Sequence, residues 1–276
     1  MDGPRPNVKA QKQNGEGRLD EPVDRKIAFA GHVLPFLVWV AFILVFQCAE
    51  SIGRPFPRSW AAPAYAVKSA LCAILLLGFR PWRFYKGVPL GKSAVLTGLL
   101  GGVLVTALWI FPETSWAFRH FQGGAIAYNE WAILPPGAFP SYFVPETFPA
   151  LPAGHPSLAY SPAEAGWFLT MAKLVGSAFV IATAEEYFFR GFLYRWLRKG
   201  RFWEIPVSVY DAATFWGVVL VFGMEHDRWL AGMIAGAVYG WIVLKTGRIL
   251  PAVIAHMTTN LLLGLYVIFF ARYGFW

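Results

Sequence analysis

Apolar residues in this chain come in long runs separated by short polar breaks. A helix needs about 20 mostly apolar residues to cross a bilayer core. Seven stretches approach that length: 27–49, 61–79, 93–111, 163 to beyond Glu186, 206–224, 229–246 and 250–271. The pattern predicts an all-α, polytopic membrane helical bundle of about seven transmembrane helices, with room for an eighth.

The polar breaks carry an orientation signal. Arg5, Lys9, Lys12, Arg18, Arg25 and Lys26 precede the first run, Arg80, Arg83, Lys86 and Lys92 follow the second, and Arg195, Arg198, Lys199 and Arg201 follow the fourth. Lys245 and Arg248 follow the sixth, whereas the alternate breaks hold few basic residues. Positive charge gathers on the cytoplasmic side of a membrane protein, so the N-terminus is expected there and the C-terminus outside.

One break is long. Residues 112–162 are nearly uncharged and hold nine prolines together with Trp116, Phe118, Phe121, Trp131, Phe139, Tyr142, Phe143 and Phe148. Aromatic rings partition to the membrane interface, and Pro135, Pro136 and Pro140 argue against a spanning helix through the middle. This segment is expected to be an extracytoplasmic surface packed on the bundle. Small residues recur within the runs, at Gly98, Gly101 and Gly102, and at Gly232, Gly236 and Gly240; spacing of this kind allows close helix approach.

Composition agrees with the pattern. Charged residues make up 14% of the chain, against about 25% in a typical soluble domain, which points to an integral membrane protein. A net charge of +8 could suggest nucleic acid, but the basic residues lie in the short breaks and form no phosphate-binding face, so no nucleic-acid partner is expected. Cys48 and Cys72 sit in or beside apolar runs and read as small apolar side chains. Residues 1–26 lack the layout of a secretory signal and read as a disordered cytoplasmic tail.

Candidate chemistry starts within the fourth run, where Glu185, Glu186 and Arg190 interrupt an apolar helix. Ionisable groups are costly there and are seldom kept without a partner or a task. Glu186 and Arg190 are four apart and can pair on one helical face, which turns Glu185 about 100° away and leaves it for other work. His226 ends the fifth run four residues after Phe222, with Glu225 beside it. His256 and Asn260 share a face of the seventh run. Three runs thus offer polar groups able to meet inside the bundle. His32, His120 and His155 stand alone and read as structural or solvated.

The three motifs, Glu-Glu-x-x-x-Arg at 185–190, Phe-x-x-x-His at 222–226 and His-x-x-x-Asn at 256–260, resemble those of the CAAX-protease and bacteriocin-processing family, intramembrane endopeptidases related to the Rce-type prenyl proteases. The flanks 189–193 and 246–251 agree, and the resemblance covers about residues 164 to 265. It implies that Glu185, helped by His226, activates water, that His256 and Asn260 stabilise the oxyanion, and that Glu186 and Arg190 hold the first motif in shape, with Phe222 in support. No Ser or Cys nucleophile accompanies the motifs.

Glu185, His226 and His256 match a zinc site in ligand type, but the His-Glu-x-x-His signature is absent. The resemblance implies a metal-free glutamate enzyme, with no cofactor; zinc is the alternative. Four parts are expected: the tail 1–26, a three-helix segment 27–111, the aromatic segment 112–162 and a catalytic membrane domain 163–272. The expected partners are a protein or peptide substrate and the bilayer, in a bacterial inner membrane, with association to a sorting or secretion system left open. The competing readings are a non-proteolytic immunity, sorting or scaffold protein and a small-solute or proton transporter. The topology sets one puzzle, because an outward-running fifth span of full length would carry His226 well away from Glu185.

Overall fold

A computed structural model describes residues 22–85, 90–133, 151 and 154–276. The prolines and aromatic residues expected at an interface between Pro135 and Phe148 lie outside the described residues, as do 1–21 of the tail. Among the described residues the fold is helical, without strands. Helix α1 spans Pro22–Ser51, α2 Ala61–Phe79 and α3 Lys92–Ile110. Two short helices follow, α4 (Ser115–His120) and α5 (Gln122–Trp131). The long helix α6 runs over Pro162–Arg198, and α7 (Ala212–Met224), α8 (Trp229–Thr246) and α9 (Leu250–Phe270) complete the bundle.

Among the described residues six helices are long and apolar enough to cross a membrane: α1, α2, α3, α6, α8 and α9. The fifth expected span is shorter than its apolar run. Residues 206–211 are not helical, and α7 begins only after Asp211, whose Oδ1 accepts the Thr214 backbone N–H at 2.9 Å. Its 13 residues rise about 20 Å, too little for a bilayer core. Glu185 stands 13 residues before the end of α6, also about 20 Å along the axis. The short α7 therefore returns His226 to the depth of Glu185, which removes the puzzle of a full-length fifth span.

Helix α6 is not uniformly α-helical. Its backbone widens to π-helix over Gly176–Ile181 and again over Tyr187–Leu193, on either side of Glu185 and Glu186. π-Helical turns shift the side chains that follow them around the axis, and they concentrate at functional sites. Hydropathy carries no trace of them.

The core draws buried side chains from α1, α2, α3, α6, α7, α8 and α9. Helix α3 packs closely on α9 because glycine removes the side chain at the contact: a Cβ on Gly102 would lie 2.5 Å from the Ala255 carbonyl oxygen. The small residues of α8 do the same against α7, where Gly236 faces the Phe222 ring. Close approach of this kind drives helix association where lipid is as apolar as leucine.

Candidate functional site

Glu186 is fully buried, and Arg190 Nη1 donates to its Oε1 at 2.8 Å, the i,i+4 pair that spacing allows. The guanidinium is held further: Nη2 donates to the Gly236 carbonyl of α8 at 3.0 Å, and its carbon lies 4.5 Å from the centroid of the Phe222 ring. Both terminal nitrogens of the buried cation thus have an acceptor, and its face has an aromatic ring.

The same carboxylate also fixes His256. His256 Nδ1 lies 3.0 Å from Glu186 Oε1. A carboxylate oxygen accepts, so Nδ1 carries the hydrogen and the ring is held in one tautomer. Tyr239 stacks on the imidazole at 4.8 Å and anchors its own hydroxyl on Thr259 Oγ1 at 2.7 Å. With Nδ1 committed, Nε2 faces the neighbouring carboxylate, 3.6 Å from Glu185 Oε2. That is too long for a hydrogen bond. Among the described residues Glu185 Oε2 is buried with no hydrogen-bond partner.

His226 reaches the cluster through an aromatic hub. Its Nδ1 donates to the Phe222 carbonyl at 2.9 Å, which leaves Nε2 as the acceptor of the neutral ring. The Phe222 ring, fully buried, lies 5.0 Å from the His226 ring, 5.8 Å from that of His256 and 5.1 Å from that of Phe189. Trp109 of α3 covers His226 edge-on at 5.4 Å. Asn260, one turn beyond His256, donates from Nδ2 to the Ser177 carbonyl at 2.9 Å, inside the first π-helical stretch. Its second amide hydrogen is not used by that bond.

Residues 167–262 match the family model described as type II CAAX prenyl endopeptidase Rce1-like. This segment is Rce1-like. No curated protein and no solved structure matches the chain. The Rce1-like segment runs from α6 through most of α9 and contains every residue of the cluster, from Ser177 to Asn260. That description names an endopeptidase, and the apolar helices around the segment are those of an integral membrane protein.

Of the residues expected at the site, Glu185, Glu186, Arg190, Phe222, His226 and His256 are joined through the hub, and Asn260 sits one turn beyond His256 against the Ser177 carbonyl. The other histidines lie elsewhere. His32 is buried between the Ala28 carbonyl (2.6 Å) and the Tyr85 hydroxyl (2.7 Å), His120 stacks on Trp116, and His155 accepts a backbone N–H from Ser157. Glu225 is the exposed C-cap residue of α7. Among the described residues no three His, Cys, Asp or Glu side chains are grouped to hold a metal ion, and the Glu186 bond to His256 Nδ1 leaves Nε2 as the open nitrogen of that ring. Sequence reasoning missed three partners, the Glu186–His256 bond, the Tyr239 stack and the Ser177 carbonyl. The first joins residues 70 apart, and no local pattern signals it.

Proposed function

We propose that the chain is an intramembrane endopeptidase that hydrolyses a peptide bond of a membrane-associated protein or peptide without a metal or cofactor. The observation that carries this reading is the buried, unbonded Glu185 Oε2 beside His256 Nε2, left out of the network that ties Glu186 Oε1 to Arg190 and His256. A water next to Glu185 gives its proton to the carboxylate as its oxygen adds to the scissile carbonyl. His226 Nε2, an acceptor in the neutral ring, helps to orient that water. The carbonyl becomes a tetrahedral oxyanion, which takes hydrogen bonds from the spare Asn260 amide hydrogen and from His256 Nε2 when that nitrogen is protonated. Collapse of the intermediate breaks the C–N bond, and the proton held by Glu185 passes to the leaving amine. Glu186 and Arg190 act through His256, as positioning residues.

Basic residues at the start of α1, the end of α2, the start of α3, the end of α6 and the end of α8 favour an N-terminus in the cytoplasm, and the mostly membrane-embedded mass of the chain suits a bacterial inner membrane. The test is cleavage of a tail peptide by purified protein. Glu185→Gln and His226→Ala are each expected to lower kcat by about 10²–10³ or more while leaving the folded state intact. Equal cleavage by both variants would sink the assignment and favour a non-proteolytic sorting or immunity role. Activity is expected to survive chelation by EDTA; loss that zinc restores would revive the metal alternative.

A further inference from the structure

Two lysines lie within the bundle, one on α2 and one on α6. Lys68 Nζ of α2 sits 4.0 Å from the Trp39 ring centroid and 4.6 Å from that of Tyr65. Lys173 Nζ of α6 lies 4.0 Å from Tyr65 and 4.8 Å from Tyr160. The two ammonium groups share one aromatic ring and repel each other. Among the described residues neither pairs with a carboxylate; Glu164, near the start of α6, is taken by Arg58 at 2.8 Å. Aromatic faces attract a cation but leave its three N–H donors unspent.

Lys68 lines a cavity of about 210 Å³ with Gln47 and the two tyrosines. That cavity shares Phe42, Phe46 and Ala64 with an apolar groove of about 530 Å³ between α1 and α2, which continues past Phe56, Trp60 and Val67. Lys68 is the eighth residue of α2, about 10 Å from its start, and Lys173 lies about 16 Å into α6. Helical side chains tilt toward the N-terminus, so both lysines lean toward the same end of the bundle, where Trp60 is exposed. Two lysines held by aromatic rings, without a carboxylate partner among the described residues, one of them lining a cavity that joins an apolar groove, are complementary to one molecule with an anionic head and an apolar chain.

We propose that this site binds an anionic phospholipid, with its phosphate against Lys68 and Lys173 and an acyl chain in the α1–α2 groove. The protein is released from nanodiscs containing equal phosphatidylglycerol and phosphatidylcholine, and retained lipid is counted by native mass spectrometry. The parent is expected to keep phosphatidylglycerol preferentially. Lys68→Gln and Lys173→Gln should each weaken that preference by about fivefold, and together by about 25-fold. Lys68→Arg should keep it, which separates lost charge from lost fold, and Lys92→Gln should leave it unchanged. Ala64→Trp, which fills the groove and spares both lysines, should expel the lipid. Undiminished preference in the double glutamine variant would overturn the proposal. So would full displacement by inorganic phosphate or by a peptide carboxylate, since either would identify a site for a free anion.

Discussion

Glu186 shows how one side chain serves two partners. It is fully buried, and Arg190 and the His256 imidazole both approach the same oxygen, at 2.8 and 3.0 Å. Removing one member of a buried pair strands the other, at a typical cost of about 3–5 kcal/mol. Arg190→Ala and Glu186→Gln are therefore each expected to lower the thermal unfolding temperature in detergent. Their effects should not add, because each removal already breaks the shared network. Arg190→Lys should also fail, since a point ammonium cannot reach both Glu186 and the Gly236 carbonyl as the guanidinium does. Glu185 differs in kind. It carries no structural bond from Oε2, so Glu185→Gln should cost activity and leave stability nearly unchanged, as read by the same melting assay.

At the scale of elements, function depends on helix length and helix contact. Asp211 starts α7 late, and that short helix sets the depth of His226. The Thr214 backbone N–H holds the Asp211 carboxyl below its ordinary range. Its cap therefore contributes stability above the ordinary carboxyl pKa, and the contribution fades as pH falls through the lower folded value. Asp211→Asn should keep the cap and remove this acid sensitivity, whereas Asp211→Ala should loosen α7 at neutral pH; hydrogen exchange of the α7 amides reads both. Gly102 makes the α3–α9 contact. A larger side chain there meets the Ala255 carbonyl and Thr258, so Gly102→Leu should cost about 1–3 kcal/mol and slow any cleavage by displacing His256.

Across the whole molecule, a second buried pair closes the end of the bundle away from the basic connections. Arg228, just before α8, donates from Nη2 to Glu113 Oε2 at 2.8 Å and from Nη1 to the Gly274 carbonyl at 2.9 Å, and it stacks on Phe275. This joins the end of α3, the α7–α8 turn beside His226 and the C-terminal residues. Arg228→Ala should lower the melting temperature by leaving Glu113 buried and uncompensated, and the double variant Glu113→Gln/Arg228→Met should recover part of the loss. Recovery in a double-variant melting series identifies the pair as the cause.

The sequence by itself determined the bundle and the membership of its polar cluster. Apolar runs mark the helices because lipid selects for them locally; α2 and α8 fall where hydropathy puts them, and the ends of α3 and α9 shift by one residue. The i,i+4 spacings of Glu186 with Arg190 and of His256 with Asn260 are also local geometry, so they were legible. Tertiary structure decided what depends on long-range contact. It decided that α7 is short, that α6 widens around Glu185, that His256 leans on Glu186, and that Phe222 is the ring around which three helices meet. Such contacts join residues tens of positions apart and leave no period in the chain. The physical reason is that helix formation is settled within a turn or two, whereas the pairing of buried polar groups is settled only when helices pack.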